Sequence, residues 1–184
     1  KSLKFPNNAE ILTLEEFLQF LKQKKAGAQI ELKEMGYESQ ILDVIEKINI
    51  DYETLIGPIV LTSFNFLSIR KLVKLLRKRP NIPKYKYPDQ KGLALGLQAI
   101  KLDSFIGNSV LRWCKRNNIW GFMTYYKYLP ISKIPFAHEC GVKFCPRVPD
   151  DPDLIKKYIE ADVDGFETDN VPLIIKLIEE YSAS

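Results

Sequence analysis

At 184 residues, 46% of them hydrophobic, the chain can bury one sizeable core and reads as a single domain over 1–184. A formal charge of +4 admits anionic ligands but does not argue for nucleic acid. No apolar run approaches the length of a membrane span, and no signal peptide is visible.

The first element is a helix. Thr13 and Glu16 form a capping box, Leu12 and Phe17 suit a hydrophobic staple, and Leu14, Phe17, Leu18 and Leu21 make an i, i+3, i+4, i+7 stripe. A strand over 28–33 follows. In a strand, residues two apart share a face, so Gln29, Glu31 and Lys33 project together while Ile30 and Leu32 pack on the other side. A carboxylate suited to a hard cation beside an amine suited to a phosphate oxygen is a pairing for phosphoryl chemistry. The same tetrapeptide also reads as a plain strand with two solvent-facing polar residues.

A helix with Ile41, Leu42, Ile45 and Ile48 comes next, then the strand 58–64 around Ile59-Val60-Leu61. The helix after it buries Ile69, Leu72, Val73 and Leu76 and stops before Pro80. Its opposite face carries Arg70, Lys74, Arg77 and Lys78, the pattern of a solvated face. A proline-rich loop over 80–88 leads to a short strand at 92–96 and a helix around 105–115, with Ile106, Val110 and Trp113 on one side. An aromatic strand over 119–126 precedes a short helix at 132–140. The strand 142–148 contains Pro146, which cannot donate to a ladder. Asp151 and Pro152 read as N-cap and first turn of a helix with Leu154, Ile155 and Tyr158. A sixth strand over 163–168 is followed by a last helix that starts near Pro172 and buries Ile174, Leu177, Ile178 and Tyr181.

Six strands, each followed by a helix, argue for an α/β protein with a parallel sheet, either a TIM barrel or a doubly wound sheet. No glycine-rich phosphate fingerprint follows the first strands, which disfavours a nucleotide-binding sheet. An eight-unit barrel takes about 250 residues. Cys114, Cys140 and Cys145 contain no CxxC pair and fit a reducing compartment, with a leaning to the cytoplasm. The one histidine, His138, precedes Gly141 away from the strand ends and takes a surface or packing role. Ser63 and Phe64 end a strand, where they serve either the core and turn or a site. Asp169 caps the last helix or lines a site, capping being favoured, and Asp162 and Asp164 read as loop and strand-start residues. The aromatic cluster Trp120, Phe122, Tyr125, Tyr126 and Tyr128 is mostly core, with Tyr126 or Tyr128 able to reach the mouth.

The ordered set Leu12-Thr13-Leu14-Glu15-Glu16-Phe17-Leu18, Ile30-Glu31-Leu32-Lys33, Thr62-Ser63-Phe64, Gly92-Leu93-Ala94-Leu95, Ala137-His138-Glu139-Cys140-Gly141 and Val163-Asp164-Gly165-Phe166-Glu167-Thr168-Asp169 resembles the glycerophosphodiester phosphodiesterases over nearly the whole chain. The resemblance implies a (β/α)8 TIM barrel, of which the chain supplies about six units. It implies metal-assisted hydrolysis of a glycerophosphodiester to sn-glycerol 3-phosphate and an alcohol. Glu31 is then a ligand of a divalent cation, Mg or Ca, and Lys33 a phosphate contact, with Phe64 and Arg147 on the substrate. Arg147 stands where the family carries a tryptophan at the barrel mouth. The family's two catalytic histidines and its first acidic pair have no counterpart, so no catalytic residue is assigned in this chain and it is expected to be inactive alone. The start at Lys1 fits a preceding portion that supplies them. The alternative is a non-catalytic barrel relative that binds a phosphate ester or a protein partner.

Overall fold

The computed structural model describes residues 11–86, 91–99, 104–128 and 130–183. Tyr87 and Pro88 of the proline-rich loop and the side chain of Ile106 lie outside the described residues. Helix α1 (Leu14–Lys24) precedes strand β1 (Ala26–Glu31). The order then runs α2 (Glu38–Ile48), β2 (Ile56–Ser63), α3 (Phe66–Arg77), β3 (Ala94–Ala99), α4 (Ser104–Asn117) and β4 (Gly121–Tyr125). It ends with α5 (Ile134–Glu139), β5 (Lys143–Arg147), α6 (Pro152–Glu160) and α7 (Val171–Ser182). The five strands are parallel and pair in sequence order, β1-β2-β3-β4-β5. That winding in a single sense is the order of a (β/α) barrel and not of a doubly wound sheet, whose order reverses.

The expected capping box is present in full: Thr13 N donates to Glu16 Oε2 at 2.7 Å, and Glu16 N to Thr13 Oγ1 at 3.2 Å. Leu18 and Leu21 of the predicted stripe are buried, with Leu14 and Phe17 packed against the core. On α3, Ile69, Leu72, Val73 and Leu76 are buried under the sheet. Each contributes about 1.5–3 kcal/mol relative to an exposed position. The helix face of the sheet carries Ile59, Leu61, Leu95, Leu97, Phe122 and Phe144, all in the main core. Val60, Ala94 and Met123 point the other way, into the curl. There, a Cβ on Gly96 would stand 2.6 Å from the Met123 methyl, so the glycine makes room for that side chain.

On α7 Ile174 and Leu177 are buried as expected, but Ile178 and Tyr181 are exposed. Three strand readings need correction. The first strand lies at Ala26–Glu31 and not at 28–33, so Lys33 stands just past its end. The third strand lies at Ala94–Ala99 and not at 92–96. Gly92 belongs to the turn before it, where a Cβ would stand 2.4 Å from the Lys84 backbone. The sixth strand is not formed: 163–168 makes one bridge, Arg147 to Glu167, beside β5. Pro146 is the physical reason. In β5 the odd residues face β4, as Lys143 N does in donating to Trp120 O, and the even ones face outward. Pro146 therefore places its missing N–H on the outer side, which removes a donor there. Phe144 N–H, also outward, is taken at 2.8 Å by the Asp164 carboxylate instead of a backbone carbonyl.

Asp164 is thus more than a strand-start residue. One oxygen also accepts from His138 Nε2 at 2.9 Å, and the other meets Lys143 Nζ at 2.7 Å. His138 keeps the structural role expected of it, tying α5 to the segment after α6. Replacing Asp164 by Ala strands a buried N–H, and the expected loss in urea unfolding is about 2–3 kcal/mol. Asp164→Asn, which keeps an acceptor, should lose less. The cysteines are free. Burial pushes the thiols of Cys114 and Cys145 up to about 12, and that of Cys140 upward in the same direction. Thiol reagents near pH 8 should label the folded chain at least about a hundredfold more slowly than the urea-unfolded chain, because the thiolate is the reacting form.

Candidate functional site

Parallel pairing in sequence order brings the C-terminal ends of all five strands to one rim, the end where barrel sites form. At this rim Glu31, Leu32, Lys33, Ser63, Phe64, Asn65 and Phe66 line a cavity of about 540 Å³. Glu31 and Lys33 project together as the alternation requires, and Lys33 Nζ stands 3.1 Å from Glu31 Oε1. The lysine is 79% exposed and the glutamate 27%, so the cation is free to leave its partner for an anionic ligand at little cost. Phe64, half-exposed, joins them in the same cavity. Arg147 ends β5 on the same rim but does not line that cavity. Its guanidinium meets Asp169 Oδ2 at 2.9 Å with both groups well exposed. Tyr125 is its register partner on β4.

Asp169 does not cap the last helix. Asn170 does, its Oδ1 accepting from Leu173 N at 3.3 Å, and Asp169 is left to pair with Arg147. Ser63 resolves to a structural role. Its hydroxyl is buried, donates to Leu32 O at 2.8 Å and accepts from Asn65 N at 3.0 Å, locking the end of β1 to the start of α3. Gln29, expected beside Glu31, reaches instead across the curl to Glu167 Oε1 at 2.9 Å. Tyr126 and Tyr128 form a short 3-10 turn after β4, with the Tyr125 ring tilted against theirs at centroid distances of 4.7 and 6.0 Å.

Glu38 is the residue that sequence reading missed. It is fully buried at the first turn of α2, yet it is charged. It accepts from Lys71 Nζ at 2.7 Å, from Ser68 Oγ at 3.0 Å and from Gly36 N at 3.1 Å. These bonds tie the loop that follows Lys33 to the first turns of α3. Gly36, at φ +107°, makes the turn that aims its N–H at the carboxylate. Burial alone would raise the Glu38 pKa, but Lys71, the backbone donors and Ser68 outweigh it and hold the carboxyl below its ordinary value.

A divalent cation does not fit the residues present. Among the described residues no three His, Cys, Asp or Glu side chains come together, and the rim cavity holds one carboxylate, already engaged by Lys33. Such ions take six or more oxygens, part of them water. A more apolar cavity of about 150 Å³, with Tyr52, Pro58, Tyr85 and Trp120 in its wall, lies at the opposite end of the sheet and carries no such pair.

No protein-family model matches the sequence, and no curated protein matches it. Solved structures do match its fold. A glycerophosphodiester phosphodiesterase from Parabacteroides distasonis superposes with a TM-score of 0.70 over 98% of this chain and 69% of that one, at 17% identity. An Oleispira antarctica phosphodiesterase, in complex with its product sn-glycerol-3-phosphate, superposes with a TM-score of 0.62 over 90% of this chain and 60% of that one, at 16% identity. At such identities the likeness is one of fold. It meets the resemblance read from the short motifs.

The Glu38 knot gives a pH signature. A carboxyl held below its unfolded pKa stabilises fully above the unfolded value and loses that contribution as pH falls through the folded one. Glu38→Gln should destabilise by about 1–2 kcal/mol near neutral pH, with Lys71 half-exposed and its share discounted accordingly. The gap from the parent should narrow as unfolding is measured below about pH 4.

Proposed function

We infer that the chain carries part of a glycerophosphodiester phosphodiesterase, a (β/α)8 barrel that hydrolyses a glycerophosphodiester to sn-glycerol 3-phosphate and an alcohol in glycerophospholipid metabolism. The observation that carries this reading is the Glu31–Lys33 pair at the C-terminal end of a parallel strand, in the fold shared with a phosphodiesterase that holds that product. In this reading Lys33 takes a phosphoryl oxygen, Phe64 packs on the carbon part of the ester, and Arg147 offers its fork to the far end of the substrate. Mg or Ca belongs to the reading only if further oxygen ligands join Glu31 from beyond the described residues. Acid–base groups on either side of phosphorus have to come from there as well, since His138 is spent on Asp164. Free cysteines are in keeping with a cytoplasmic location. No helix among the described residues is long and apolar enough to cross a membrane.

The single carboxylate favours a second reading, a barrel relative that binds a phosphate ester without turning it over. Two measurements on the full-length protein separate them. In the first reading, release of sn-glycerol 3-phosphate from glycerophosphodiesters requires a divalent cation. It falls at least about a hundredfold in Glu31→Ala, and Lys33→Ala raises KM about tenfold or more. In the second, calorimetry detects sn-glycerol 3-phosphate binding that Lys33→Ala abolishes, with no turnover under any metal. Absence of both turnover and binding overturns the assignment of this rim.

A further inference from the structure

The charges of this chain are sharply segregated. Residues 54–138 contain fifteen Lys and Arg against two acidic residues, Asp89 and Asp103, while the remainder contains twelve against twenty-one. Among the described residues of that span there is no carboxylate side chain at all. The sequence places basic residues on one helix at a time; the fold sets α3 and α4 side by side. The rings of Phe66 and Trp113 pack at 4.6 Å, tilted by 59°, near one end, and Arg77 Nη2 donates to Asn117 Oδ1 at 3.2 Å near the other. The joint face presents Arg70, Lys74, Arg77, Lys78 and Arg116, all exposed, none with a carboxylate in ion-pair reach among the described residues.

At the rim end of α3, Phe64 at 49% and Leu67 at 55% are exposed, and in the loop after β1 so is Met35 at 46%. Tyr37 in that loop is exposed as well, and Glu38, bonded to Ser68 and Lys71, fastens the loop to α3. Basic side chains on long stems flanking a few protruding apolar ones are the composition of an interfacial surface. The cations meet lipid phosphates while the apolar residues enter the headgroup boundary. Nucleic acid would use the cations but has no need of Met35 or Leu67.

We propose that the α3–α4 face, with the apolar side chains at its rim end, docks this protein side-on onto an anionic lipid bilayer. The docking is independent of catalysis, so its failure and the failure of the phosphodiesterase reading are read on separate assays. The test is co-sedimentation of the full chain with phosphatidylcholine vesicles, with and without phosphatidylserine. Binding is expected only with phosphatidylserine, and to weaken steeply as salt rises. The triple variant Lys74→Glu, Lys78→Glu, Arg116→Glu should bind about a hundredfold more weakly, with unchanged melting by circular dichroism. Leu67→Ser should weaken what binding persists at high salt. Equal sedimentation with both vesicle types, no sedimentation at low salt, or tighter binding to duplex DNA or single-stranded RNA than to the anionic vesicles overturns the proposal. So does a triple variant that binds as the parent does.

Discussion

Each strand of this sheet pairs with its neighbour in sequence, parallel and in the same winding sense. That constraint decides most of what the molecule can do. Parallel neighbours need a crossover, and each crossover here is built around a helix, so one face of the sheet is covered and the other curls inward. The same pairing lines up the strand ends on a single rim. Residues far apart in sequence, such as Glu31, Phe64, Tyr125 and Arg147, then share that rim without any dedicated contact drawing them together. The Ser63 hydroxyl and the Glu38 carboxylate refine this arrangement by fixing the loops after β1 and β2.

Much of this was legible in the sequence because the signals were local. The capping box at Thr13 and the i, i+3, i+4 stripes depend on neighbours a few residues away and stand where expected; Glu31 and Lys33 do meet, though the strand ends at Glu31. Misreadings came where the deciding partner was distant. The third strand slid by two residues because Gly92 is needed against the Lys84 backbone. The sixth strand failed because its outward partner, Pro146, has no donor to give. Glu38 was invisible for the same reason. A glutamate in a first helical turn is ordinary, and only the fold shows that Lys71 and Ser68 are waiting for it on the next helix. Asp169 looked like a cap until Asn170 proved better placed by one residue.

The rim is chemically lopsided. On the β1–β2 side a carboxylate and an amine neutralise one another beside an aromatic ring; on the β4–β5 side a guanidinium and a carboxylate do the same in open solvent. Both pairs are weak in water and exchangeable for a ligand's charges. Such an arrangement recognises an anion readily and polarises it poorly.

Pro146 has an effect that reaches past the fold of one molecule. The open side of a terminal strand is a template on which another extended chain can lay itself down. Here Pro146 has no N–H to offer, the N–H of Phe144 is taken by the Asp164 side chain, and the outward carbonyls of Phe144 and Pro146 already accept from the backbone of Asp164 and Glu167. An incoming strand would find the donors of that row missing or taken and its acceptors already engaged by 164–167. The irregularity that cost the sheet a sixth strand therefore also guards β5 against unwanted partners and lowers the tendency of neighbouring copies to aggregate along that edge.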